Sequence, residues 1–147
     1  MMRSDADFMS EAYAEAQKGL EEGGLPIGAI LVRDGEIIGR GHNQRVQKAD
    51  PILHGEMACM QNAGRQASYK DTVMYTTLSP CMMCTGTIIQ FGVPRVVIGE
   101  SANFKGYQDV LALAGTEVKD MHDPACIDMM ADFIRHHPSL WNEDIGH

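Results

Sequence analysis

An α/β domain with a mixed β-sheet is the fold class that the sequence predicts. Two apolar runs in IGAILVRDGEIIGRG meet at Asp34-Gly35. This dipeptide tolerates the positive φ angles of a tight turn, so the two runs predict an antiparallel hairpin. Later in the chain, TVMYTTL and PRVVIG are typical of strands, and CMMCTGTIIQF between them is typical of a helix. A hairpin followed by a strand, a helix and a strand indicates a mixed sheet.

The remaining elements follow from hydrophobic spacing and from glycine and proline. In chain order the pattern predicts a helix over 8–20 ended by Gly23-Gly24, a polar loop over 42–50, a helix over about 54–66, a short helix over 107–114, a weak strand at 117–118 and a helix over 125–136. In the polar loop, Arg45 and Lys48 are expected to be charges in water.

Composition and charge narrow the class of protein. The 147 residues are 44% hydrophobic, which fits a single domain over residues 1–147. No apolar run approaches the ~20 residues of a membrane span, and MMRSDADFM lacks the layout of a signal peptide. A cytoplasmic protein without membrane contact is therefore expected. The net charge of −8 argues against nucleic acid as a partner.

Two of the four cysteines, Cys81 and Cys84, lie directly after a predicted strand in the stretch SPCMMC. Ser79 is a good N-cap and Pro80 a good first helical residue, so both thiols are predicted in the first turns of a helix, on one face. The positive end of the helix dipole lowers thiol pKa values and favours the thiolate, which binds metals or attacks disulfides. This motif alone is compatible with a dithiol redox site and with a zinc site.

A second motif, His54-Gly55-Glu56, lies at another predicted helix start and favours zinc. A dithiol redox site would give the histidine and the carboxylate no task. A structural zinc site normally needs four protein ligands, and Cys59 and Cys126 do not form a second closely spaced pair. Three protein ligands with one open position fit the two motifs better.

The three predicted ligands are His54, Cys81 and Cys84, and zinc held by them keeps its fourth tetrahedral position for water. The pKa of such a water falls to near ~7 in favourable sites, so hydroxide is available at neutral pH. Glu56, a non-ligating carboxylate beside it, can take the water's proton and deliver it to a substrate nitrogen. H-x-E followed by P-C-x-x-C is the signature of zinc-dependent nucleobase deaminases.

Beyond these motifs, longer stretches resemble the cytidine deaminase superfamily and most closely the fungal-type cytosine deaminases. The stretches are GGLPIGAILV, GRGHNQR, LHGE, YTTLSPCMMCTG, NFKG and WNEDIG. The resemblance implies a cytidine-deaminase-like three-layer α/β/α sandwich with a five-stranded mixed sheet. It also implies one Zn²⁺ per chain between two helix N-termini, a small-molecule nucleobase substrate and a homodimer.

The resemblance further implies a set of substrate contacts. Asn43 would hydrogen-bond the pyrimidine, and Gly55 would donate its backbone amide to the ring carbonyl. Asp144 would accept the exocyclic amino group with help from the Ser79 carbonyl. The ring would be enclosed by Phe104, Trp141 and Ile27. Because WNEDIGH follows Pro138, the tail is expected to fold back as a lid that excludes a ribose.

Three functions are compatible with the sequence. The favoured one is hydrolysis of a free nucleobase, cytosine above all, to the keto base and ammonia, with Glu56 as the catalytic residue. The alternative is another substrate on the same fold: guanine, a nucleoside, or adenosine in transfer RNA. A binding module that uses zinc only for structure is the third.

Overall fold

The computed structural model, which describes residues 3–147, contains a sheet of five strands. The strands are β1 (Gly28–Arg33), β2 (Glu36–His42), β3 (Thr72–Thr76), β4 (Arg95–Ile98) and β5 (Glu117–Asp120). Their order in the sheet is β2-β1-β3-β4-β5. β1 pairs antiparallel with β2 and β3, whereas β4 pairs parallel with β3 and β5, so the sheet is mixed as predicted.

Helices follow or precede each strand in the described part of the chain. They are α1 (Asp5–Glu21), α2 (Arg45–Lys48), α3 (Gly55–Ala63), α4 (Met82–Phe91), α5 (Gln108–Leu113), α6 (Pro124–His136) and α7 (Pro138–Asp144). Among residues 3–147, none of them has both the length and the apolar character that a bilayer crossing needs.

Strand alternation divides the core into two layers, because successive side chains of a strand point to opposite faces. Ala29 and Leu31 of β1 pack in one apolar cluster with side chains of α3, α4 and α5. Ile30 and Val32 pack on the other face, with side chains of α1 and α6. Helices therefore cover both faces of the sheet, and the predicted three-layer α/β/α sandwich is confirmed.

The predicted hairpin is present between β1 and β2. Asp34 and Gly35 have φ angles of 50° and 77°, the left-handed values that a two-residue hairpin turn needs at both central positions. Arg33 pairs with Glu36 directly across this turn. An aspartate and a glycine meet this requirement at low cost, because both tolerate positive φ.

Three predictions of local structure are wrong. The helix expected to reach Gln66 ends at Ala63, where Gly64, at a φ of 74°, breaks it. The polar loop over 42–50 contains the single turn of α2, ended by Ala49 in the left-handed region. No helix is predicted after Pro138, where the tail is expected to fold back as a lid, but residues 138–144 form α7.

The carboxyl end of β3 and the amino end of β1 lie side by side because these strands are antiparallel. Their backbones continue the pairing beyond the sheet: Thr77 N donates to Gly28 O over 3.0 Å, and Gly28 N donates to the Thr77 hydroxyl over 3.1 Å. This edge of the sheet faces the N-termini of α3 and α4. All chemistry-bearing motifs of the sequence therefore converge there.

Candidate metal centre and substrate cavity

The N-termini of α3 and α4 bring one imidazole and two thiols together. His54 is the N-cap residue of α3 and Cys81 the N-cap residue of α4, and Cys84 lies in the first turn of α4. Cys81 Sγ is 3.5 Å from His54 Nδ1 and 3.6 Å from Cys84 Sγ. The three candidate ligand atoms all lie within 4.8 Å of one another, and no other group of three such residues occurs among residues 3–147.

The helix start predicted at Ser79 and Pro80 is wrong by two residues, since Cys81 takes the N-cap position. Ser79 has other partners: its N–H donates to Glu100 O over 2.9 Å, and its hydroxyl donates to Lys105 O over 2.9 Å. A serine already bonded to a neighbouring loop cannot cap the helix. The shift places Cys81 at the very end of the helix dipole.

Electrostatic interactions give the two thiols different pKa values. The hydrogen bond from Cys84 lowers the pKa of Cys81 to about 4, with a further contribution from His54. The same contact, added to burial, raises the pKa of Cys84 well above its usual value. Burial opposes protonation of His54, but the contacts with Cys81, Asp144 and Glu56 outweigh it and raise the His54 pKa to about 9. Without a metal, this cluster therefore holds a thiolate beside an imidazolium, and a cation can replace the proton.

The spacing of the three atoms fits zinc. Zn–S bonds of ~2.3 Å and Zn–N bonds of ~2.0–2.1 Å at tetrahedral angles place ligand atoms about 3.5–3.8 Å apart. The observed 3.5 Å and 3.6 Å agree with that range. One imidazole and two thiolates are also the ligand types that zinc prefers, and they leave one tetrahedral position open toward the cavity.

Glu56 lies in the second position of α3 and is buried at 5% exposure. Burial raises its pKa to about 7, and the Cys81 thiolate adds to the rise while His54 opposes it. A carboxyl group with a pKa near the working pH is suited both to accept and to donate a proton. It contributes to the wall of the cavity beside the three candidate ligands.

A small cavity adjoins the cluster. Its lining residues are Ile27, His54, Glu56, Leu78, Ser79, Cys81, Phe104, Trp141, Asp144 and Ile145. The aromatic walls meet edge to face, with the rings of Phe104 and Trp141 6.0 Å apart at 87°. Six of the residues predicted to serve catalysis or substrate binding thus line one cavity, together with two candidate metal ligands.

Asp144 reaches the cavity from α7 and is buried there. Asn43 Nδ2 donates to Asp144 Oδ1 over 2.9 Å, and His54 Nε2 lies 3.4 Å from the same oxygen. Burial raises the pKa of Asp144, against the opposing effects of His54, Asn43 and Arg45. A carboxylate on the non-ligating nitrogen of a metal-binding histidine orients the ring, so Asp144 contacts both the candidate metal ligand and the substrate space.

Gly55 is required by close packing at the start of α3. A Cβ atom at this position would lie 2.9 Å from the Ile27 carbonyl oxygen. The backbone of α3 therefore approaches the residue that precedes β1 directly. The first N–H groups of a helix have no partner within the helix itself.

Sequence reasoning missed several contributors to the site. Leu78 and Ile145 line the cavity beside predicted residues. A helix predicted over the tail would have pointed to Ile145, which follows Asp144 directly. Arg45 was expected to lie in water, but its side chain is only 20% exposed and packs against α7. Its sequence context, a polar loop, gave no signal of this contact.

The loop that carries Phe104 is fixed by a carboxylate that is fully buried. Glu100 accepts hydrogen bonds from the backbone N–H of Asn103 over 3.0 Å and from its side-chain amide over 2.9 Å. Asn103 also donates to Ile127 O on α6 over 3.0 Å. These bonds hold the loop between β4 and α5 against α6, and Phe104 follows directly.

The match to a family model decides the class of protein. Residues 2–100 match the model of the cytidine and deoxycytidylate deaminase zinc-binding region. The chain belongs to this deaminase family. Membership confirms the predicted zinc cofactor and the predicted deaminase chemistry, and the cluster on α3 and α4 provides the residues that could hold the metal. The C-terminal 47 residues, which carry Phe104, Trp141 and Asp144, lie outside the matched region.

Individual relatives extend the comparison beyond residue 100. The chain is 48% identical to a cytosine deaminase of Candida albicans, over 99% of each chain. It is 41% identical to a tRNA-specific adenosine deaminase of Streptococcus pyogenes serotype M18, over 71% of this chain and 67% of the relative. A solved guanine deaminase from Nitrosomonas europaea has the same fold, with a TM-score of 0.78 and 18% identity over 90% of this chain and 85% of that one.

Proposed function

We propose that this deaminase hydrolyses free cytosine to uracil and ammonia. The observation that carries the proposal is the position of Asp144, which α7 brings into the cavity wall beside the candidate metal ligands. The full-length similarity to a cytosine deaminase supports it, because that similarity includes the tail on which Asp144 lies.

His54, Cys81 and Cys84 are the residues that we assign to zinc, one ion per chain. When bound, zinc supplies a nucleophilic oxygen at neutral pH by lowering the pKa of a water in its open position. His54 is held in place for this task by Asp144 on its other nitrogen, and Cys81 and Cys84 by the first turn of α4.

Glu56 moves the protons. Its carboxylate takes a proton from the attacking water and delivers it to N3 of the base as the oxygen adds to C4. It then carries the second proton to the amino group, the C4–N bond breaks, and ammonia leaves with uracil as the other product. Burial in the cavity wall, away from bulk solvent, keeps this carboxyl able to serve in both directions.

The remaining cavity residues orient the base. Asp144 accepts the exocyclic amino group, assisted by the Ser79 carbonyl. The Asn43 amide already donates one N–H to Asp144 and keeps its second N–H for the pyrimidine. The Gly55 amide donates to the ring carbonyl. The faces of the base are enclosed by Phe104, Trp141 and Ile27.

Adenosine in transfer RNA is the second candidate substrate, because a tRNA-specific adenosine deaminase shares 41% identity with most of this chain. Two observations weigh against it. The net charge of −8 repels polyphosphate, and α7 places the buried Trp141 in the cavity wall, against which a backbone-linked nucleoside would have to fit.

A homodimer remains part of the proposal. Three large apolar side chains on neighbouring helices face outward: Met82 and Phe91 on α4 are 52% and 49% exposed, and Leu113 on α5 is 90% exposed. Burial of such side chains is what a second copy would supply. Sedimentation velocity at micromolar concentration should give the mass of two chains; the mass of one chain would contradict the dimer.

A cytoplasmic location stays a prediction.

Ammonia release from a panel of bases tests the proposed substrate. The zinc-loaded protein should release ammonia from cytosine, with uracil formed in equal amount. The same assay is run separately with 5-methylcytosine, guanine, adenine and cytidine as alternative substrates. Faster release from guanine, adenine or cytidine than from cytosine would contradict the proposal, and release from none of them would favour a binding module.

A further inference from the structure

We propose that Arg45 is a positioning residue that fastens α7 over the cavity by its ion pair with Glu143. Arg45 Nε lies 3.6 Å from Glu143 Oε2, and Glu143 directly precedes Asp144 in the chain. The contact therefore joins the loop after β2 to the helix that carries the proposed recognition carboxylate. The consequence for turnover rests on the proposed function, whereas the fastening of α7 does not.

The position of Arg45 in the loop is itself fixed. Its backbone N–H donates to Asn43 Oδ1 over 3.0 Å, and its Nη1 donates to Pro51 O over 3.1 Å. The backbone of Arg45 is thus held by Asn43 before α2, and its guanidinium is anchored on the Pro51 carbonyl after α2. An anchored guanidinium loses little freedom when it pairs, which makes the ion pair more favourable than one between two mobile side chains.

Asn43 and Asp144 form the hydrogen-bonded pair at the end of the cavity, and Arg45 is tied to both of them. It binds Asn43 through its own backbone N–H, and it holds Asp144 through the neighbouring Glu143. If α7 moves away from the cavity, the Asn43–Asp144 hydrogen bond and the Arg45–Glu143 contact break at the same time. The ion pair therefore controls how often the recognition carboxylate is in place.

The buried Nε–H of Arg45 has no hydrogen-bond partner in the part of the chain that the structure describes. An unpaired buried donor is unfavourable, and the Glu143 carboxylate lies just beyond hydrogen-bond distance from it. Closing that gap needs a relative movement of roughly half an ångström between the loop after β2 and α7.

Amide hydrogen exchange of α7 tests the fastening without any substrate. Where exchange follows the fraction of open molecules, Arg45→Gln should speed exchange of residues 138–145 by about threefold to fivefold, the effect of one partly buried ion pair. Glu143→Gln should act in the same direction, and the double variant should exchange no faster than Arg45→Gln alone. Rates that multiply in the double variant would show that the two side chains act independently.

Arg135→Gln is the matched control. Arg135 pairs with Asp132 on α6, and both side chains are well exposed, so its removal should leave α7 exchange unchanged. Unchanged α7 exchange in Arg45→Gln, with zinc content and far-ultraviolet circular dichroism as in the parent protein, would overturn the proposal.

Kinetics add a readout that a purely structural role would not move. Arg45→Gln should raise KM for cytosine by up to about threefold to fivefold with a smaller decrease in kcat, because loss of one ion pair lowers the fraction of molecules with α7 in place by at most that factor. Faster α7 exchange in a protein that never turns over cytosine would leave the fastening intact and refute the proposed function. Unchanged α7 exchange in Arg45→Gln, in a protein that turns over cytosine fully, would refute the fastening and leave the proposed function intact.

Discussion

Asn43 Nδ2 donates a hydrogen bond to Asp144 Oδ1 over 2.9 Å, although the two residues are 101 positions apart in the chain. Asn43 directly follows β2, and Asp144 is the last residue of α7. The bond thus closes the cavity by joining one edge strand of the sheet to the end of the chain. Both side chains are buried, so neither can lose its partner without a substantial cost in free energy.

Asp144→Ala should decrease kcat/KM for cytosine by roughly 10²-fold or more, since a site that hydrogen-bonds an amino group loses its acceptor. Zinc content should stay near one equivalent. Asn142→Ala, at an exposed position of the same helix, is the control and should retain activity. Deletion of residues 139–147 should also abolish turnover, but it removes Trp141 from an apolar cluster, so the substitution is the cleaner test. Wild-type turnover in Asp144→Ala would refute its role.

Glu56→Gln should keep the fold and the zinc yet lose turnover by roughly 10²-fold to 10⁴-fold, because an amide cannot accept the water's proton. The substitution preserves the volume of a buried side chain, so the packing of α3 should be unaffected. Single-turnover kinetics with the metal-loaded variant measure the loss. A rate within a few-fold of the parent protein would show that another group carries the protons.

Cys84→Ala should reduce bound zinc well below one equivalent and abolish activity, because two protein ligands hold the ion far less tightly than three. Cys126→Ala is the matched control, since Cys126 is buried on α6 and packs in the apolar cluster beside α1. Metal analysis after gel filtration distinguishes the two. Full zinc in Cys84→Ala, or zinc loss in Cys126→Ala, would contradict the ligand assignment.

Asp5 should stabilise the fold in a pH-dependent manner. Hydrogen bonds from Arg95 above all, and from Tyr75 and Lys119, hold the pKa of Asp5 well below its usual value, against the effect of burial. A pKa that is lower in the folded state adds stability above the unfolded value of about 4, and this stability is lost as the pH falls toward the folded value. Asp5→Asn should therefore lower the free energy of unfolding at pH 7 by about 1–3 kcal/mol.

Urea denaturation at several pH values measures this effect. The difference between the parent protein and Asp5→Asn should be largest at neutral pH and shrink below about pH 4. Asp128→Asn, at an exposed position of α6, should change stability little at any of these pH values. A difference between parent and Asp5→Asn that is independent of pH would show that the ion pairs of Asp5 contribute little.

Local pattern was enough to predict the sheet and most helices. Asp34-Gly35 specified its turn through φ angles that few residues tolerate, and the alternation from Ala29 to Val32 specified two buried faces. The candidate metal cluster was also predictable, because His54, Cys81 and Cys84 each lie at a helix start and short-range spacing determines where helices start.

Contacts across the fold were not predictable in this way. Ser79 caps no helix because its hydroxyl binds Lys105, and Arg45 leaves the solvent because Glu143 lies beside it. Neither partner is near in sequence, so no local pattern records the contact. The roles of Asn43, Phe104 and Trp141 were expected only from family resemblance; the structure adds that Phe104 and Trp141 line one cavity and that Asn43 bonds Asp144 in its wall.

We propose that the cavity lined by α7 selects a free pyrimidine base, and direct competition between substrates tests this selectivity best. The zinc-loaded protein should be given cytosine and cytidine together at equal concentration, with guanine in a parallel mixture, and the products followed by chromatography. The ratio of initial rates gives the ratio of kcat/KM, and cytosine should exceed each competitor by roughly 10²-fold or more, because Trp141 and Asp144 of α7 line the cavity in which a ribose or a second ring would have to fit. A ratio at or below one for either competitor would contradict both the lid formed by α7 and the assignment of cytosine as the substrate.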